Sequence, residues 1–262
     1  MAGTSMTPVP RPRRRWPIAL GVLVPVAALV AGLGLWLHND PPAAAARPAP
    51  PAFTIPYLAV ASGSAIPAVP PPVPVPTAAR TRWLTRVSAA TDIPTRALAA
   101  YVRAAARTAV RMPSCHLTWA TLAGIGRIES DHGQHHGDAV GADGVEATPI
   151  IGPALDGSPG VQRIPDTDHG TLDGDPVWDH AIGPMQFLPS RWRALGERAS
   201  GDGRPADPQN IDDAALTAAD YLCATGDLAV PARWWAAAFH YNNSLDYGRA
   251  VFSAAQAYAR AG

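Results

Sequence analysis

The first 78 of the 262 residues restrict this chain to one folded domain behind an export segment. Residues 17–37 are uncharged and mostly apolar, which is long enough to cross a bilayer as a helix, since that needs about 20 residues. Segment 1–16 before them contains arginines and no acid, and such a segment stays in the cytoplasm. The stretch is therefore either a single-pass membrane anchor or a cleaved signal peptide that leaves the chain secreted, and both place the remainder outside the cytoplasm.

Residues 38–78 are rich in proline and alanine, and residues 40–76 alone contain 12 prolines. This composition predicts an extended, semi-rigid linker. Residues 79–262 then form a single domain, large enough for its own core. Its 20 acidic residues outnumber its 16 arginines, which argues against a nucleic-acid partner. Cys115 and Cys223 lie in this exported domain, where we expect them to form a disulfide.

Local sequence signals predict an all-α or α-dominated domain. The expected helices are Arg82–Ala90, Pro94–Val110, a helix from Ser114 or Cys115 to Glu129, Pro189–Leu195, Ala214–Ala224 capped by Asp212 or Asp213, Pro231–Phe239 and Leu245–Arg260. Strand signals are limited to a small hairpin around residues 150–164. The long loop 131–180 contains ten acidic residues and one arginine, and we expect it to form a cleft wall.

The segment 123–133, A-G-I-G-R-I-E-S-D-H-G, contains the first candidate catalytic group. At 100° per residue, Glu129 falls on the same helical stripe as Leu122 and Ile125. A carboxyl on an apolar stripe is costly to ionise, so we expect its pKa to rise. A raised pKa is what a general acid needs. The alternative is an ordinary surface glutamate at a helix end.

Two later segments supply groups that suit a carbohydrate. A-I-G-P-M-Q-F-L-P-S, residues 181–190, contains Gln186, whose amide has two donors and one acceptor for sugar hydroxyls or an N-acetyl group. A-F-H-Y-N-N, residues 238–243, ends a helix with the flat ring of Tyr241 and the amide of Asn242. Taken singly, such residues are more often found at helix ends and turns than in active sites.

Four motifs recur in a fixed order: R-I-E-S-D-H-G, G-P-M-Q-F-L-P-S, D-G-R-P-A-D-P-Q-N-I-D-D-A with A-A-D-Y-L, and a final Y-N-N. Over residues 79–262 they resemble the lytic murein transglycosylases with a lysozyme-like SLT domain, in particular the membrane-bound type B family and its actinobacterial relatives. The resemblance implies a lysozyme-like fold and peptidoglycan glycan strands as the partner. It also implies cleavage of the MurNAc–GlcNAc β-1,4 bond without water, which forms a 1,6-anhydro sugar.

The same resemblance implies roles for individual residues. Glu129 is the single general acid and base, and Ser130 is an orienting hydroxyl beside it. Gln186 and Asn242 contact the sugar substituents, and Tyr241 lies against a ring face. Such a mechanism needs no second carboxylate as nucleophile, unlike the two-carboxylate scheme of most glycosidases.

The resemblance also raises the question of a calcium ion, because the type B family carries an EF-hand-like loop. Ser200, Asp202 and Asp212 stand at plausible ligand positions, with Gly203 at the turn. Arg198 stands where the first aspartate ligand is expected, and its charge should weaken calcium binding. No other cofactor is expected.

A metal enzyme is one alternative, because Glu129, His132, His135 and His136 form E-x-x-H-x-x-H-H. Against it, Gly133 should end the helix before His135, and no H-E-x-x-H motif is present.

In two further alternatives the partner is also peptidoglycan. One is a non-catalytic peptidoglycan-binding or partner-recruiting module with the same substrate contacts. The other is a hydrolase in which Asp131 or Asp179 positions a water molecule.

Overall fold

The computed structural model describes residues 53–134 and 138–262, and it confirms an α-dominated domain. A two-stranded sheet accompanies the helices. The elements are α1 Thr77–Thr91, α2 Thr95–Arg111, α3 Trp119–Ser130, β1 Ile151–Ala154, β2 His180–Ile182, α4 Pro189–Leu195, α5 Ile211–Cys223, α6 Pro231–Tyr241 and α7 Leu245–Ala261.

The predicted segments 1–16 and 17–37, and the linker up to residue 52, lie outside the described residues. Within the described ranges, none of the helices has the length and apolar character that a membrane span needs.

Helix α3 lies at the centre of the fold, packed against α2, α5 and α7. Every residue from Trp119 to Gly126 is buried, so the apolar stripe that predicted this helix does face the core. A Cβ atom at Gly126 would lie 2.1 Å from the Tyr101 hydroxyl of α2. Glycine is therefore needed there, because any side chain would separate α2 from α3. This packing fixes the position of the last turn of α3, which carries Glu129.

Three helix starts differ from the sequence expectation, and the first is that of α1, which begins at Thr77 and not at Arg82. Helix α3 begins at Trp119, because the Thr118 hydroxyl accepts a hydrogen bond from the Thr121 amide at 3.2 Å and caps the helix there. Residues 113–115 instead form a separate 3₁₀ turn. Helix α5 is capped by the side chain of Asn210, which accepts from the Asp212 amide at 2.9 Å. Asp212 and Asp213 therefore lie in the first turn, where arginines contact them.

The expected hairpin around residues 150–164 is correct for its first strand only. Strand β1 pairs in antiparallel fashion with β2, with Ile151 opposite Ile182 and Ala154 opposite His180. Between Asp156 and Arg163 there is a single isolated bridge. The strand partner therefore comes from the end of the long loop, which the local pattern did not indicate.

Residues 53–76 of the predicted linker lie against the helical domain. The Leu58 amide donates to Ser253 Oγ at 2.9 Å, and the Ala68 amide donates to Gln256 Oε1 at 2.7 Å. Trp235 Nε1 donates to the Ala65 carbonyl at 2.9 Å. Apolar side chains between the prolines also pack on the core. This half of the linker is extended as expected, but it is not a free spacer, because helix side chains satisfy its backbone.

The predicted disulfide is confirmed: Cys115 and Cys223 are bonded across 108 residues of sequence. Cys115 ends the 3₁₀ turn that follows α2, and Cys223 ends α5. The bond therefore ties together two of the elements that surround α3.

Candidate active site

A groove of about 720 Å³ passes the end of α3. Its walls come from the last turn of α3, strand β1 with the loop after it, strand β2 with the turn that follows it, helices α4 and α5, and the end of α6. The lining residues are Glu129, Pro153, Leu155, Gly160, Val161, Gln162, Ala181, Gln186, Phe187, Leu188, Arg191, Tyr221, Phe239, His240, Tyr241, Asn242 and Asn243. The long loop supplies one wall, as the sequence predicted.

Glu129 lies partly buried in this groove, on the last turn of α3. Its Oε1 accepts a hydrogen bond from the Tyr247 hydroxyl at 2.6 Å. Burial raises the pKa of Glu129 to about 7, and the hydrogen bond from Tyr247 opposes part of that rise because it stabilises the ionised form. The carboxyl is therefore available as both proton donor and proton acceptor near neutral pH.

Tyr247 was not found by sequence reasoning. It lies in the first turn of α7, after the N-cap Ser244, and it is 118 residues from Glu129 in sequence. No local pattern separates this tyrosine from the core aromatics of the same helix. Only the packing of α7 against α3 brings its hydroxyl to the carboxyl.

Gln186 lines the groove from the turn that follows β2. Its amide Nε2 donates to the Gly183 carbonyl at 3.0 Å and to the Ala181 carbonyl at 3.3 Å. Its backbone φ is +48°, an uncommon value for a residue with a side chain. Because both amide hydrogens are engaged, the side chain is held in place with its carbonyl oxygen as the group available to a ligand.

Tyr241 and Asn242 reach the groove from the end of α6. The Tyr241 hydroxyl donates to the Met185 carbonyl at 2.7 Å, so the ring is fixed. This ring is nearly parallel to that of Tyr247, with their centroids 6.5 Å apart. Asn242 is exposed. The structure thus brings Glu129, Gln186, Tyr241 and Asn242 to one groove, although their chemical roles stay predictions.

Ser130 does not join this group. It is buried, its hydroxyl donates to the Pro184 carbonyl at 2.7 Å, and its Oγ accepts from the Gly133 amide at 2.8 Å. It is not among the lining residues of the groove. The Ser130 hydroxyl beside Glu129 therefore does not face the groove, and it joins the end of α3 to the turn that carries Gln186.

Glu129 is the only acidic side chain among the described residues that line the groove. Asp131 forms an ion pair with Arg127 on the same helix. Asp179 is buried and accepts hydrogen bonds from the backbone amide and the hydroxyl of Thr167. Neither aspartate lies where the hydrolase hypothesis needs it, beside a water molecule in the groove.

His132 does not behave as a metal ligand. It is completely buried, and its two ring nitrogens lie 3.3 Å from the Tyr101 hydroxyl and 2.9 Å from the Tyr258 hydroxyl. Burial, and next to it the charge of Arg127, lower its pKa to about 3. The imidazole is therefore neutral and bound within the core. The other two histidines of that hypothesis, His135 and His136, lie outside the described residues.

Arginines engage two of the three residues expected at a calcium loop, Asp202 and Asp212. Arg198 contacts both oxygens of Asp202, at 2.9 and 2.8 Å, and also Asp213 at 2.8 Å. Asp212 is paired with Arg96 and Arg103. A guanidinium group therefore neutralises the acids that calcium would need, which argues against calcium at Ser200, Asp202 and Asp212.

Within the described ranges, one set of three acidic side chains is close enough to share a metal ion: Asp166, Asp168 and Asp179 in the long loop. Each of these carboxylates accepts hydrogen bonds from nearby backbone amides. Backbone amides of the loop therefore already satisfy these three carboxylates.

No protein-family model matches the chain, and no curated protein matches it. Among solved structures, it is similar to the Escherichia coli lytic transglycosylase Slt35 in complex with bulgecin A, with 15% identity, a TM-score of 0.40, and coverage of 69% of this chain and 78% of that one. The same protein in complex with calcium gives 15% identity, a TM-score of 0.39, and coverage of 69% and 79%. Similarity of this degree establishes neither the family nor the function of the chain.

Proposed function

We propose that this protein is a peptidoglycan lytic transglycosylase that cleaves the MurNAc–GlcNAc β-1,4 bond with Glu129 as its general acid and base. The observation that supports it most is a single carboxyl, with its pKa raised to about 7, in a groove that contains no other described acidic side chain. We also propose that residues 17–37 hold the domain at the outer face of the membrane, unless they are cleaved.

In the first step, the protonated carboxyl of Glu129 donates its proton to the glycosidic oxygen, and the bond to the anomeric carbon breaks. The leaving sugar takes that proton. A pKa near 7 suits this step, since a useful fraction of the carboxyl is protonated at neutral pH.

In the second step, the carboxylate of Glu129 takes the proton of the muramyl 6-hydroxyl as that oxygen attacks the anomeric carbon of the same sugar. The new bond closes the 1,6-anhydro ring, and Glu129 returns to its protonated state. The two-carboxylate schemes need a second acid near the first, either as nucleophile or to activate water. The absence of one among the described groove residues favours the internal hydroxyl as nucleophile.

Three groove residues suit the sugar. Gln186 offers its carbonyl oxygen to a sugar hydroxyl or N–H group, and exposed Asn242 offers an amide. The ring of Tyr241 is fixed by its hydrogen bond to Met185, so it presents a rigid face for stacking.

The test is digestion of purified peptidoglycan by the full chain, with mass analysis of the soluble muropeptides. We expect products lighter by one water than the hydrolytic muropeptides, which is the mass of an anhydro end. Products at the hydrolytic mass would replace the transglycosylase proposal with a hydrolase.

Glu129→Gln keeps the size of the side chain and removes its acid function, so we expect no soluble product and unchanged affinity for glycan strands. Glu197→Gln is the matched control, because Glu197 lies outside the groove beside Arg111. If the wild-type chain binds glycan without releasing any product, the protein is instead a wall-binding module.

A further inference from the structure

Glu146 is a buried acid without a partner. Glu146 is only 5% exposed, and among the described residues no donor forms a hydrogen bond with either of its carboxylate oxygens. The other buried acids differ: Asp168 accepts from the Thr171 amide, Asp179 accepts from Thr167, and Asp213 accepts from the amides of Ala199 and Asp207. Since buried carboxylates are normally paired, Glu146 requires a separate explanation.

The local backbone fixes the main chain of Glu146 within the long loop. Glu146 pairs with Val140 across a small turn in the long loop, which the Gly141 amide closes on the Val145 carbonyl at 2.8 Å. A Cβ atom at Gly133 would collide with Glu146 Oε1 and with Val140 Cγ2. Gly133 has a φ of +83°, so a glycine is needed there for two reasons. The carboxyl of Glu146 therefore lies against the chain that leaves α3.

A pocket of about 230 Å³ has Glu146 in its wall. Its lining residues are Gly133, Asp138, Glu146, Thr148, Pro149, Ile150 and Ile151. Two of them are acidic, and Pro149, Ile150 and Ile151 give it an apolar wall. Burial, and next to it the charge of Asp138, raises the pKa of Glu146 to about 7. A cationic ligand would relieve both effects.

The composition of the pocket favours an organic cation over a metal ion. Calcium takes six to eight oxygen ligands, and this pocket offers two carboxylates and the oxygens of one threonine side chain and nearby backbone. Within the described residues, no third acidic or histidine side chain joins these two. A primary ammonium group has three N–H donors, which suit the oxygens of Glu146 and Asp138. Its alkyl chain suits the apolar wall.

We propose that this pocket binds a primary alkylammonium group. Strand β1 links it to the groove, since Ile151 lines the pocket and Pro153, two residues later, lines the groove. Resting on the proposed function, the amine belongs to a peptide attached to the glycan strand. A free polyamine offers the same chemistry.

The experiment is titration of the full chain with Nα-acetyl-lysine amide, followed by calorimetry and by amide NMR shifts at Thr148 and Glu146. We expect saturable binding and a loss of roughly tenfold or more with Glu146→Gln, since a hydrogen bond to a charged group is worth about that much. Asp138→Asn should weaken binding as well and leaves the buried carboxyl intact. Asp246→Asn, a change at a strongly exposed acid of α7, is the matched control and should bind as the wild type does.

The ligand series decides the chemistry and its source. The Nε-acetylated form of the probe has no charge and should not bind; equal binding would overturn the proposal, as would no binding of the unmodified probe. Spermidine that binds much more tightly than the lysine probe would identify a free polyamine as the ligand. Calcium that binds while the amine does not would also overturn the proposal.

A digest separates this inference from the proposed function. The wild type should cleave peptidoglycan whose free amines are acetylated more slowly than unmodified peptidoglycan. The Glu146→Gln variant should cleave the two substrates at equal rates. If the chain binds the lysine probe but cleaves neither form of peptidoglycan, the proposed function is wrong and the amine site is retained. If the wild type cleaves both forms of peptidoglycan at the same rate, the amine site does not bind the substrate.

Discussion

Tyr247→Phe removes one oxygen atom and, with it, the only hydrogen bond that the described residues make to the Glu129 carboxyl. The ring stays, so the aromatic contact with Tyr241 is kept. Because that hydrogen bond stabilises the ionised carboxyl, its loss raises the pKa of Glu129 above its present value of about 7.

The size of the effect follows from the two protonation states. A hydrogen bond to a charged group contributes about 1.5–3 kcal/mol, and one to a neutral group about 0.5–1.5 kcal/mol. The difference is about 1–1.5 kcal/mol, which corresponds to roughly one pH unit. We therefore expect the titration midpoint of Glu129 to move upward by about one pH unit in the variant.

The assay is a pH titration of the side-chain carboxyl carbon by NMR, in protein labelled at glutamate. It needs no substrate and so does not depend on the proposed reaction. A parallel measurement is the pH profile of muropeptide release. The acid must be protonated to act, so activity falls as pH rises through about 7, and in the variant this fall should occur at higher pH.

Tyr241→Phe is the matched control, since its hydroxyl donates to the Met185 carbonyl and not to Glu129. It should leave the Glu129 midpoint nearly unchanged. A midpoint that stays constant or moves downward in Tyr247→Phe would refute the reasoning, because it would mean that the hydroxyl does not favour the ionised carboxyl.

Three further predictions concern stability. Reducing the Cys115–Cys223 bond should lower the free energy of unfolding by about 4–5 kcal/mol, because the bond closes a loop of 108 residues. Denaturant titration with and without reductant measures this change, and a double-alanine variant, which reductant does not affect, is the control. Arg198→Ala should lower the free energy of unfolding as well, because the buried Asp213 loses its cation, whereas a calcium chelator should leave the wild-type melting temperature unchanged; a chelator-induced fall would show that calcium is bound. A chain that starts at residue 77 should be less stable than one that starts at residue 53 by about 3 kcal/mol or more, and equal melting temperatures would show that residues 53–76 contribute nothing.

Much of the fold follows from local sequence patterns. The stripe of α3 predicted a buried helix with Glu129 at its end, and the helices from Pro189 and Pro231 start at those residues. These predictions succeed because helix periodicity, proline at the first turn and glycine after the last are local signals. The predicted start of α3 at Ser114 or Cys115 was wrong, because Thr118 can cap a helix as well. The hydrogen bond from the Thr121 amide to the Thr118 hydroxyl decides between the two starts.

The candidate site was only partly predictable. The positions of Gln186 and Tyr241 on the groove follow the expectation, whereas Ser130 points into the protein and Tyr247 was missed. Each of these outcomes depends on which element packs beside the end of α3. Helical periodicity gives the direction of a side chain relative to its own helix, but not the partner it meets.

By itself, the sequence determined which segments are helical, which cysteines are paired and which stripe carries Glu129, because these depend on neighbouring residues, on export and on there being two cysteines. Only the tertiary structure decided that Tyr247 contacts Glu129, that residues 53–76 lie on the helices, and that Glu146 is buried without a partner. These features join residues far apart in the chain. Their free energy comes from packing and desolvation, which no local pattern records.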